Sequence, residues 1–320
     1  MKVLSLFDWM SCGLQALKEA GIPIEAYYAS EIDKYAIQIA KKNHPEIIEL
    51  WDVRNWRERN LWEIDMVIWW SPCQDLSIAG KRAGLDWARS WLFRDMVDII
   101  AHYKPKYFLL ENVASMSKEN KAIITEAMWV EPILINSALL TAQNRKRLYR
   151  TNIPWITQPE DKGIVIKDIL EEDVDEKYYI SNKHIEAMIN SRNSKKLNLP
   201  EMDKKSSSLV ASYYKIPQDW PYIDENKTQW WYRQPKILSL YNNSEREDKT
   251  NTLWSNSQCY TAKSGQIVLT NRIRKLTPIE CERLQWLKDN YTEGVSNTQR
   301  YKMIGNGWTV PVISHIFSFI

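Results

Sequence analysis

The 320-residue sequence predicts an α/β fold, with a doubly wound, mostly parallel sheet and a smaller loop-rich domain. Short apolar runs alternate with helical patterns over roughly the first 150 residues, as in β-α-β units. From about Ile156 to Lys275 this alternation weakens, and charged stretches such as Glu171 to Lys177 separate short aromatic or apolar pieces. We therefore expect one large domain, a second and less regular one, and regular structure again near the C-terminus.

Six apolar runs have the length of strands, and helical periodicity separates several of them. The predicted strands are Val3 to Phe7, Tyr27 to Ser30, Ile47 to Leu50, Met66 to Ile68, Tyr107 to Leu110 and Ile133 to Asn136. The predicted helices include Lys34 to Lys42, Asp95 to Tyr103 and Thr277 to Leu287. In the last of these, Thr277 is the expected cap and Pro278 lies near the helix start. An apolar segment, Val310 to Ile320, ends the chain.

The composition excludes several classes of protein. No stretch approaches the ~20 apolar residues that span a bilayer, so we expect a cytoplasmic protein without a membrane partner. The four cysteines form no CxxC pair, which argues against a disulfide framework or a metal site but leaves a working thiol open. The net charge of +3 leaves the partner undecided, although basic clusters at Arg145 to Arg147 and Arg272 to Lys275 could meet phosphates. We expect a monomer.

Polar residues follow the first three predicted strands. The first strand leads into the turn Phe7 to Gly13, the second is followed by Glu31 and the third by Asp52. In an open parallel sheet, ligands bind beyond the carboxyl ends of the strands. Glu31 could accept hydrogen bonds from ribose hydroxyls, and Asp52 could accept from an adenine amino group. Either residue could instead be an ordinary helix-start carboxylate, but the ordered set favours a nucleoside cofactor.

A cysteine follows the fourth predicted strand, and a glutamate follows the fifth. A lone cysteine such as Cys73 is more often a small buried apolar residue than a nucleophile. Here Pro72 would stiffen the approach, and Glu111 would supply a positioned acid from the neighbouring strand. This context favours a nucleophilic role for the thiol.

Basic residues alternate in the segment from Gln143 to Arg147. Extended spacing would place Gln143, Arg145 and Arg147 on one face. Surface basicity is the simpler explanation of this pattern. The alternative is that these arginines hold a base carbonyl or a phosphate near the thiol and help to keep it ionised.

Six motifs stand in a characteristic order along the chain. They are Phe7 to Gly13, Ser71 to Gln74, Glu111 to Val113, Gln143 to Arg147, Arg274 to Gln285 and Gly305 to Gly307. The ordered set resembles that of the DNA cytosine-5 methyltransferases and covers nearly the whole chain except its variable middle. The first motif and the continuation Asp75 to Ser77 look like the phage and bacterial members closest to the animal de novo methylases.

The resemblance implies a Rossmann-like methyltransferase fold with S-adenosylmethionine as the methyl donor. It assigns Cys73 to attack C6 of cytosine, after which C5 takes the methyl group, a base removes the C5 proton and the thiolate leaves. Glu111 would bond to N3 and the amino group, while Arg147, with Arg145 nearby, would hold the cytosine. Because the target atom is unreachable inside a stacked duplex, the base must be flipped out of double-stranded DNA.

The resemblance also implies which residues bind the cofactor and DNA, and how the chain is divided. Cofactor contacts fall on Phe7, Asp8, Trp9, Gly13, Glu31, Ile32, Asp52, Val53, Pro72 and Asn306. DNA contacts fall on Gln74, Ser77, Gln143, Arg272 and Arg274. Residues 1–160 would form the catalytic and cofactor-binding domain, residues 161–275 a target-recognition domain that reads the major groove, and residues 276–320 a return to the catalytic domain. The enzyme would act alone or beside a separate cognate restriction endonuclease.

Tryptophan stands at several positions where the family pattern has glycine. These are Trp9, Trp51, Trp69, Trp70, Trp87, Trp91 and Trp286, whereas Trp308 fits the pattern. The chain has 9 glycines and 16 tryptophans, although average usage would give roughly 22 glycines at this length. One hypothesis is that the source organism reads UGA as glycine; the rival is a degenerate or altered chain.

Two other functions stay open beside DNA methylation. Indoles at these positions could block cofactor entry and leave a DNA-binding pseudoenzyme. Methylation of tRNA cytosine is the second, and the long middle region argues against it because that region has room for a groove-reading domain.

Overall fold

Seven strands form the central sheet of the molecule. The computed structural model describes residues 1–59, 61–70, 90–181, 185, 200–215, 221–225 and 273–320, with three further short strands in the middle region. The strands of the central sheet are Lys2–Leu6 (β1), Ala26–Ser30 (β2), Ile48–Glu49 (β3), Met66–Trp70 (β4), Tyr107–Val113 (β5), Ile133–Asn136 (β6) and Lys146–Thr151 (β7). Their order is β3-β2-β1-β4-β5-β7-β6. Only β7 runs antiparallel to its neighbours, so the predicted doubly wound, mostly parallel sheet is confirmed.

Helices connect the parallel strands and close the chain. They are Cys12–Glu19 (α1), Lys34–Asn43 (α2), Ser90–Tyr103 (α3), Lys118–Met128 (α4), Pro278–Leu284 (α5), Asn297–Asn306 (α6) and Val310–Phe317 (α7). The Asp33 carboxylate caps α2 by accepting from the amides of Tyr35 and Ala36. Thr277 and Glu280 form a reciprocal capping box on α5, with Pro278 at its start, as the sequence predicts. Among the described helices, none is both long and apolar enough to cross a membrane.

The alternation of side chains along the strands builds two apolar layers, one on each face of the sheet. In β1, Val3 packs with α1, α2 and α7, whereas Leu4 and Leu6 face the layer that contains α3 and α4. In β4, Ile68 belongs to the first layer and Trp69 to the second. This period of two is what a sheet covered on both faces requires.

A third apolar cluster joins the middle region to the C-terminal helices. Leu209 and Tyr213 pack there against Leu276, Leu284 and Ile304. The middle region also contributes Tyr222–Asp224 (β8), which pairs antiparallel with Ile273–Lys275 (β12), and a small sheet of Ile237–Ser239 (β9), Glu245–Arg246 (β10) and Gln266–Val268 (β11). The described part of the middle region therefore packs on the segment that returns to the main sheet.

The strands differ from the predicted ones at two places that matter for the site. The fifth strand continues through Glu111 to Val113, so Glu111 lies inside β5 and not after it. The basic segment predicted only as extended becomes β7, which inserts between β5 and β6. A short strand rich in Lys and Arg lacks the apolar alternation that identifies strands from sequence.

Candidate active site and cofactor cavity

A cavity opens where the strand order reverses between β1 and β4, the place at which doubly wound sheets bind ligands. The empty space between its walls is about 260 Å³, including space that is open to solvent. The residues that line it come from the end of β1, the start of α1, the end of β4 and the end of α6. They are Ser5, Phe7, Asp8, Trp9, Cys12, Gly13, Trp70, Asn306, Gly307 and Trp308. Five of the expected cofactor residues, Phe7, Asp8, Trp9, Gly13 and Asn306, thus meet in one cavity.

Asp8 holds the turn that follows β1. Its buried carboxylate accepts hydrogen bonds from the hydroxyls of Tyr27 (2.6 Å), Ser5 (2.5 Å) and Ser11. Burial raises the pKa of Asp8, while the three hydroxyl donors oppose that shift. The side chain therefore fixes the shape of the turn, and the sequence gives no sign of these partners.

Glu31 joins the loop after β2 to the loop after β1. One of its carboxylate oxygens accepts from the Trp9 amide at 3.0 Å, and the other accepts from the amides of Ile32 and Asp33 at 2.8 Å. Burial raises the pKa of Glu31, and the three amide donors oppose the shift. Glu31 is thus placed beside the cavity wall, where it orders the backbone that lines the cavity.

Three other expected cofactor residues do not line this cavity. Ile32 is largely exposed. Asp52 follows β3, caps the 3₁₀ turn Val53–Glu58 and pairs with Arg54. The hydrogen bonds from Arg54 lower the pKa of Asp52. The structure places Asp52 and Val53 one strand further along the sheet edge than Glu31.

Two tryptophans occupy part of the cavity. The rings of Trp9 and Trp70 have centroids 5.8 Å apart. The Trp9 indole donates to the Met303 carbonyl at 2.8 Å, and the Lys302 ammonium lies 5.4 Å from its ring centroid. At one edge, Phe7 stacks on Trp69 with centroids 5.7 Å apart. Both indoles therefore line the cavity.

A buried ion pair lies on the strand beside the cavity. Glu111 of β5 is in register with Trp70 of β4, and its carboxylate lies 2.7 Å from the Arg147 guanidinium of β7. Burial raises the pKa of Glu111, whereas the positive charges of Arg147 and Arg145 lower it. The expected acid and the expected arginine are therefore in direct contact.

Arg145 and Gln143 have different surroundings from those expected. The Arg145 guanidinium is buried and donates to the carbonyls of Leu209 (3.0 Å), Gly305 (3.1 Å) and Gly307 (3.1 Å). The Gln143 amide accepts from the Leu209 backbone at 2.9 Å and is also buried. Both side chains are therefore buried and hold backbone groups, and Arg145 supports the cavity wall; their expected contacts with DNA and cytosine stay predictions.

The backbone at Gly305 packs directly on the middle region. A Cβ added there would lie 2.4 Å from the Val210 carbonyl carbon and 2.6 Å from the Ala211 nitrogen. Such distances exclude any side chain without movement of the backbone. Arg145 and Gly305 therefore fix the same segment of the middle region against the Gly305 to Gly307 loop.

Arg274, an expected DNA contact, has internal partners in the structure. It is 1% exposed, and its guanidinium pairs with Glu280 at 2.7 Å and Glu225 at 2.8 Å. The guanidinium is enclosed between the start of α5 and the end of β8, so it cannot meet a phosphate in this conformation. The spacing of basic residues in sequence does not distinguish this buried pair from a surface patch.

The remaining expected residues lie outside the described part of the chain. They are Pro72, Cys73, Gln74, Ser77 and Arg272.

The described part of the chain includes other site residues that the sequence did not predict. Cys12 lines the cavity, and burial raises the pKa of its thiol to about 12. Ser5 also lines the cavity, and nothing in the sequence indicates that position. Within the described ranges, no cluster of His, Cys, Asp or Glu is placed to hold a metal ion.

The chain is similar in sequence to known methyltransferases. Among curated relatives, the chain is 26% identical to Orphan methyltransferase M.SPRI of Bacillus phage SPR, over 99% of this chain and 96% of that protein. It is 29% identical to Type II methyltransferase M1.ScrFI of Lactococcus lactis subsp. cremoris, over 92% of this chain and 71% of that protein.

Solved structures show the same fold. The Entamoeba histolytica methyltransferase EhMeth matches with a TM-score of 0.71 at 16% identity, over 100% of this chain and 97% of that chain. A mutant of Spodoptera frugiperda DNMT2 matches with a TM-score of 0.68 at 20% identity, over 99% and 98% of the two chains. A family model described as C-5 cytosine-specific DNA methylase matches residues 1–320. The predicted resemblance is confirmed, and the chain belongs to the C-5 cytosine-specific DNA methylase family.

Proposed function

We propose that this protein methylates C5 of a cytosine flipped out of double-stranded DNA, with S-adenosylmethionine as donor and Cys73 as nucleophile. The family is one of cytosine methylation, and the curated relatives reported above are named as phage and bacterial methyltransferases. The buried Glu111–Arg147 pair beside the strand-end cavity is the observation that carries the proposal. It puts an acid and a cation next to the volume expected to hold the cofactor.

The cavity lining fits an adenosyl group in its chemistry. Phe7 offers an aromatic ring at the cavity edge, Asn306 offers an amide, and Glu31 orders the loop between them. When bound, S-adenosylmethionine would supply an electrophilic methyl group to C5, and the break of its S–CH₃ bond would leave S-adenosylhomocysteine. Phe7 and Asn306 would hold it, and the Arg145 hydrogen bonds would keep the Asn306 loop in place.

The remaining chemistry is assigned to residues of this chain. The Cys73 thiolate adds to C6 of cytosine, which forms the S–C6 bond and moves an electron pair toward C5 and N3. Glu111 holds N3 and the exocyclic amino group, so that it stabilises the ring as charge develops there. Once C5 has been methylated, a base removes the C5 proton, the C5–C6 double bond reforms and the thiolate leaves.

The environment of Glu111 suits it to this task. Because burial raises its pKa while Arg147 lowers it, its proton affinity depends on how closely Arg147 approaches. A cytosine that enters the pocket and contacts Arg147 would weaken the ion pair and favour a protonated Glu111. A protonated carboxyl can donate to N3, which is the step that activates C6.

The test is methyl transfer to defined substrates. Purified protein is incubated with labelled S-adenosylmethionine and with double-stranded DNA, single-stranded DNA or tRNA, and the product is identified as 5-methylcytosine. Duplex DNA with 5-fluorocytosine should trap the protein covalently, because fluorine cannot leave as a proton does. Label only in tRNA would overturn the DNA substrate, and trapping by a chain with Cys73→Ser would overturn the nucleophile.

A second candidate function has its own observation. Trp9 and Trp70 line the cavity with their ring centroids 5.8 Å apart, and indoles in the space expected to hold the cofactor favour a DNA-binding pseudoenzyme. Duplex binding without detectable cofactor binding in calorimetry would support the pseudoenzyme.

Sequencing after bisulfite treatment of DNA from expressing cells would identify the recognition site of an active enzyme.

A further inference from the structure

Tryptophans adopt a backbone conformation that normally belongs to glycine. Ten non-glycine residues in the described part of the chain have a positive φ, and five of them are tryptophan. They are Trp9 (58°), Trp51 (64°), Trp129 (54°), Trp155 (63°) and Trp286 (64°). Side chains with a Cβ avoid this left-handed region, whereas glycine enters it freely. Tryptophan lacks the short polar side chain with which asparagine can form a local hydrogen bond in this conformation.

The helix end at Trp286 shows the requirement most clearly. The Trp286 amide donates to the Arg283 carbonyl at 3.0 Å, and the Leu287 amide donates to the Glu282 carbonyl at 2.9 Å. These two bonds form a Schellman motif after α5, in which the left-handed residue is usually glycine. Trp286 stands at this left-handed position.

Two positions were not suggested by any family motif. Trp129 directly follows α4 with φ 54° and ψ 27°, the left-handed end of a helix. Trp155 follows Pro154, and a positive φ after proline is the geometry of a type II turn, which favours glycine at that position. Their side chains are 90% and 89% exposed, so packing gives no reason for an indole at either place.

Other tryptophans behave as tryptophan should. Trp56 is buried, its indole donates to Asp95 at 3.3 Å, and the Arg57 guanidinium lies 4.4 Å from its ring centroid. Trp308 is buried in the first apolar layer. Neither has a positive φ. The sign of φ therefore separates the left-handed set from these two tryptophans.

We propose that glycine stands at positions 9, 51, 129, 155 and 286 in the functional protein, because the source organism reads UGA as glycine. The proposal adds Trp129 and Trp155 to the positions suggested by motifs. Trp69 and Trp70 lie in the extended strand β4, so their backbone gives no reason for glycine. For these two positions, only the space that the indole occupies favours glycine. At Trp9, glycine would also remove an indole from the cavity and enlarge the volume open to the cofactor.

The two exposed positions allow the most direct experiment, because removal of an exposed indole disturbs little packing. Trp129→Gly and Trp155→Gly should each raise the melting temperature by about 1–3 °C, because the left-handed strain disappears. The matched variants Trp129→Ala and Trp155→Ala remove the indole but keep the Cβ, so they should give no such rise. Trp56→Gly should lower the melting temperature. Equal melting temperatures for the Gly and Ala variants would overturn the proposal.

The gene provides an independent readout. UGA codons at the five positions, with UGG at Trp56 and Trp308, are expected, and UGG at the five positions would overturn the recoding. Mass spectrometry of protein from the source organism should find glycine at each.

The part of the inference that concerns Trp9 rests on the proposed function. Trp9→Gly should tighten binding of S-adenosylhomocysteine at least tenfold in calorimetry, while Trp129→Gly leaves it unchanged. If Trp129→Gly and Trp155→Gly stabilise the chain but no variant binds the cofactor product, the proposed function fails and the glycine assignment stands. If the Trp9 variant binds no tighter than the parent, the assignment at position 9 fails.

Discussion

Replacing Arg145 with lysine is expected to weaken cofactor binding about tenfold, which corresponds to about 1.4 kcal/mol. Asn306, which lines the cavity, lies between the two glycine carbonyls that Arg145 holds. A third carbonyl, that of Leu209, ties the middle region to the same guanidinium. Lysine keeps the positive charge, but its ammonium is a single point and cannot reach all three acceptors.

The expected cost in stability follows from those contacts. A hydrogen bond to a charged group contributes about 1.5–3 kcal/mol, and loss of two of the three would cost about 3–6 kcal/mol in this buried setting. For a chain of this length, that corresponds to a fall of roughly 4–9 °C in melting temperature. A purely structural role for Arg145 would produce this fall without a change in cofactor affinity.

Arg150 provides the matched control. It is also fully buried, lies in β7 a few residues after Arg145, and donates to three acceptors on Asn112, Lys121 and Thr125. Arg150→Lys should lower the melting temperature by a similar amount but leave the dissociation constant of S-adenosylhomocysteine within about twofold. Both variants are made in the Trp9→Gly background and measured by calorimetry well below their melting temperatures. The same affinity in both would refute a positioning role for Arg145.

Three further outcomes are expected. Cys73→Ser should reduce methyl transfer by several orders of magnitude in a single-turnover assay with DNA binding retained, and a residual rate above about a hundredth would remove Cys73 from the nucleophile's role. Glu111→Gln should slow transfer strongly without loss of cofactor affinity, because Glu111 acts on the base; an equal loss of cofactor affinity would contradict this. Burial raises the pKa of Glu49 to about 7, so this side chain contributes stability below its ordinary pKa near 4.5 that is lost as the pH rises through about 7. The melting temperature of Glu49→Gln relative to that of the parent should therefore increase from pH 5 to pH 8. A difference that does not depend on pH would contradict the shift in pKa.

Much of the catalytic half could be predicted from short patterns. The apolar runs predicted β1 and β2 to within a residue or two, and the capping box predicted the start of α5. Such local signals survive because the sheet is covered on both faces and each strand must be apolar throughout. The strand β7 was missed as a strand, because Arg147 and Arg150 find buried partners that only the neighbouring strand and helix provide.

Long-range contacts decided the roles of the basic residues. Arg145, Arg147 and Arg274 are equally charged in sequence, yet one holds backbone carbonyls, one pairs with Glu111 and one joins Glu280 and Glu225. Each partner lies 6 to 162 residues away along the chain, and most lie beyond the reach of any local pattern. Burial then makes each contact obligatory, since an unpaired guanidinium in the interior is costly.

The sequence by itself determined the family, the parallel sheet and the set of residues that gather at its carboxyl edge, because ordered motifs and apolar periodicity are local properties of the chain. It also marked some tryptophans as foreign to the pattern. Only the tertiary structure showed which tryptophans have a left-handed backbone, and it added Trp129 and Trp155, because φ at these two positions is set by a helix end and a turn that no motif records. It likewise decided that Gln143 and Arg274 face inward, because a side chain's exposure depends on what the rest of the fold places over it.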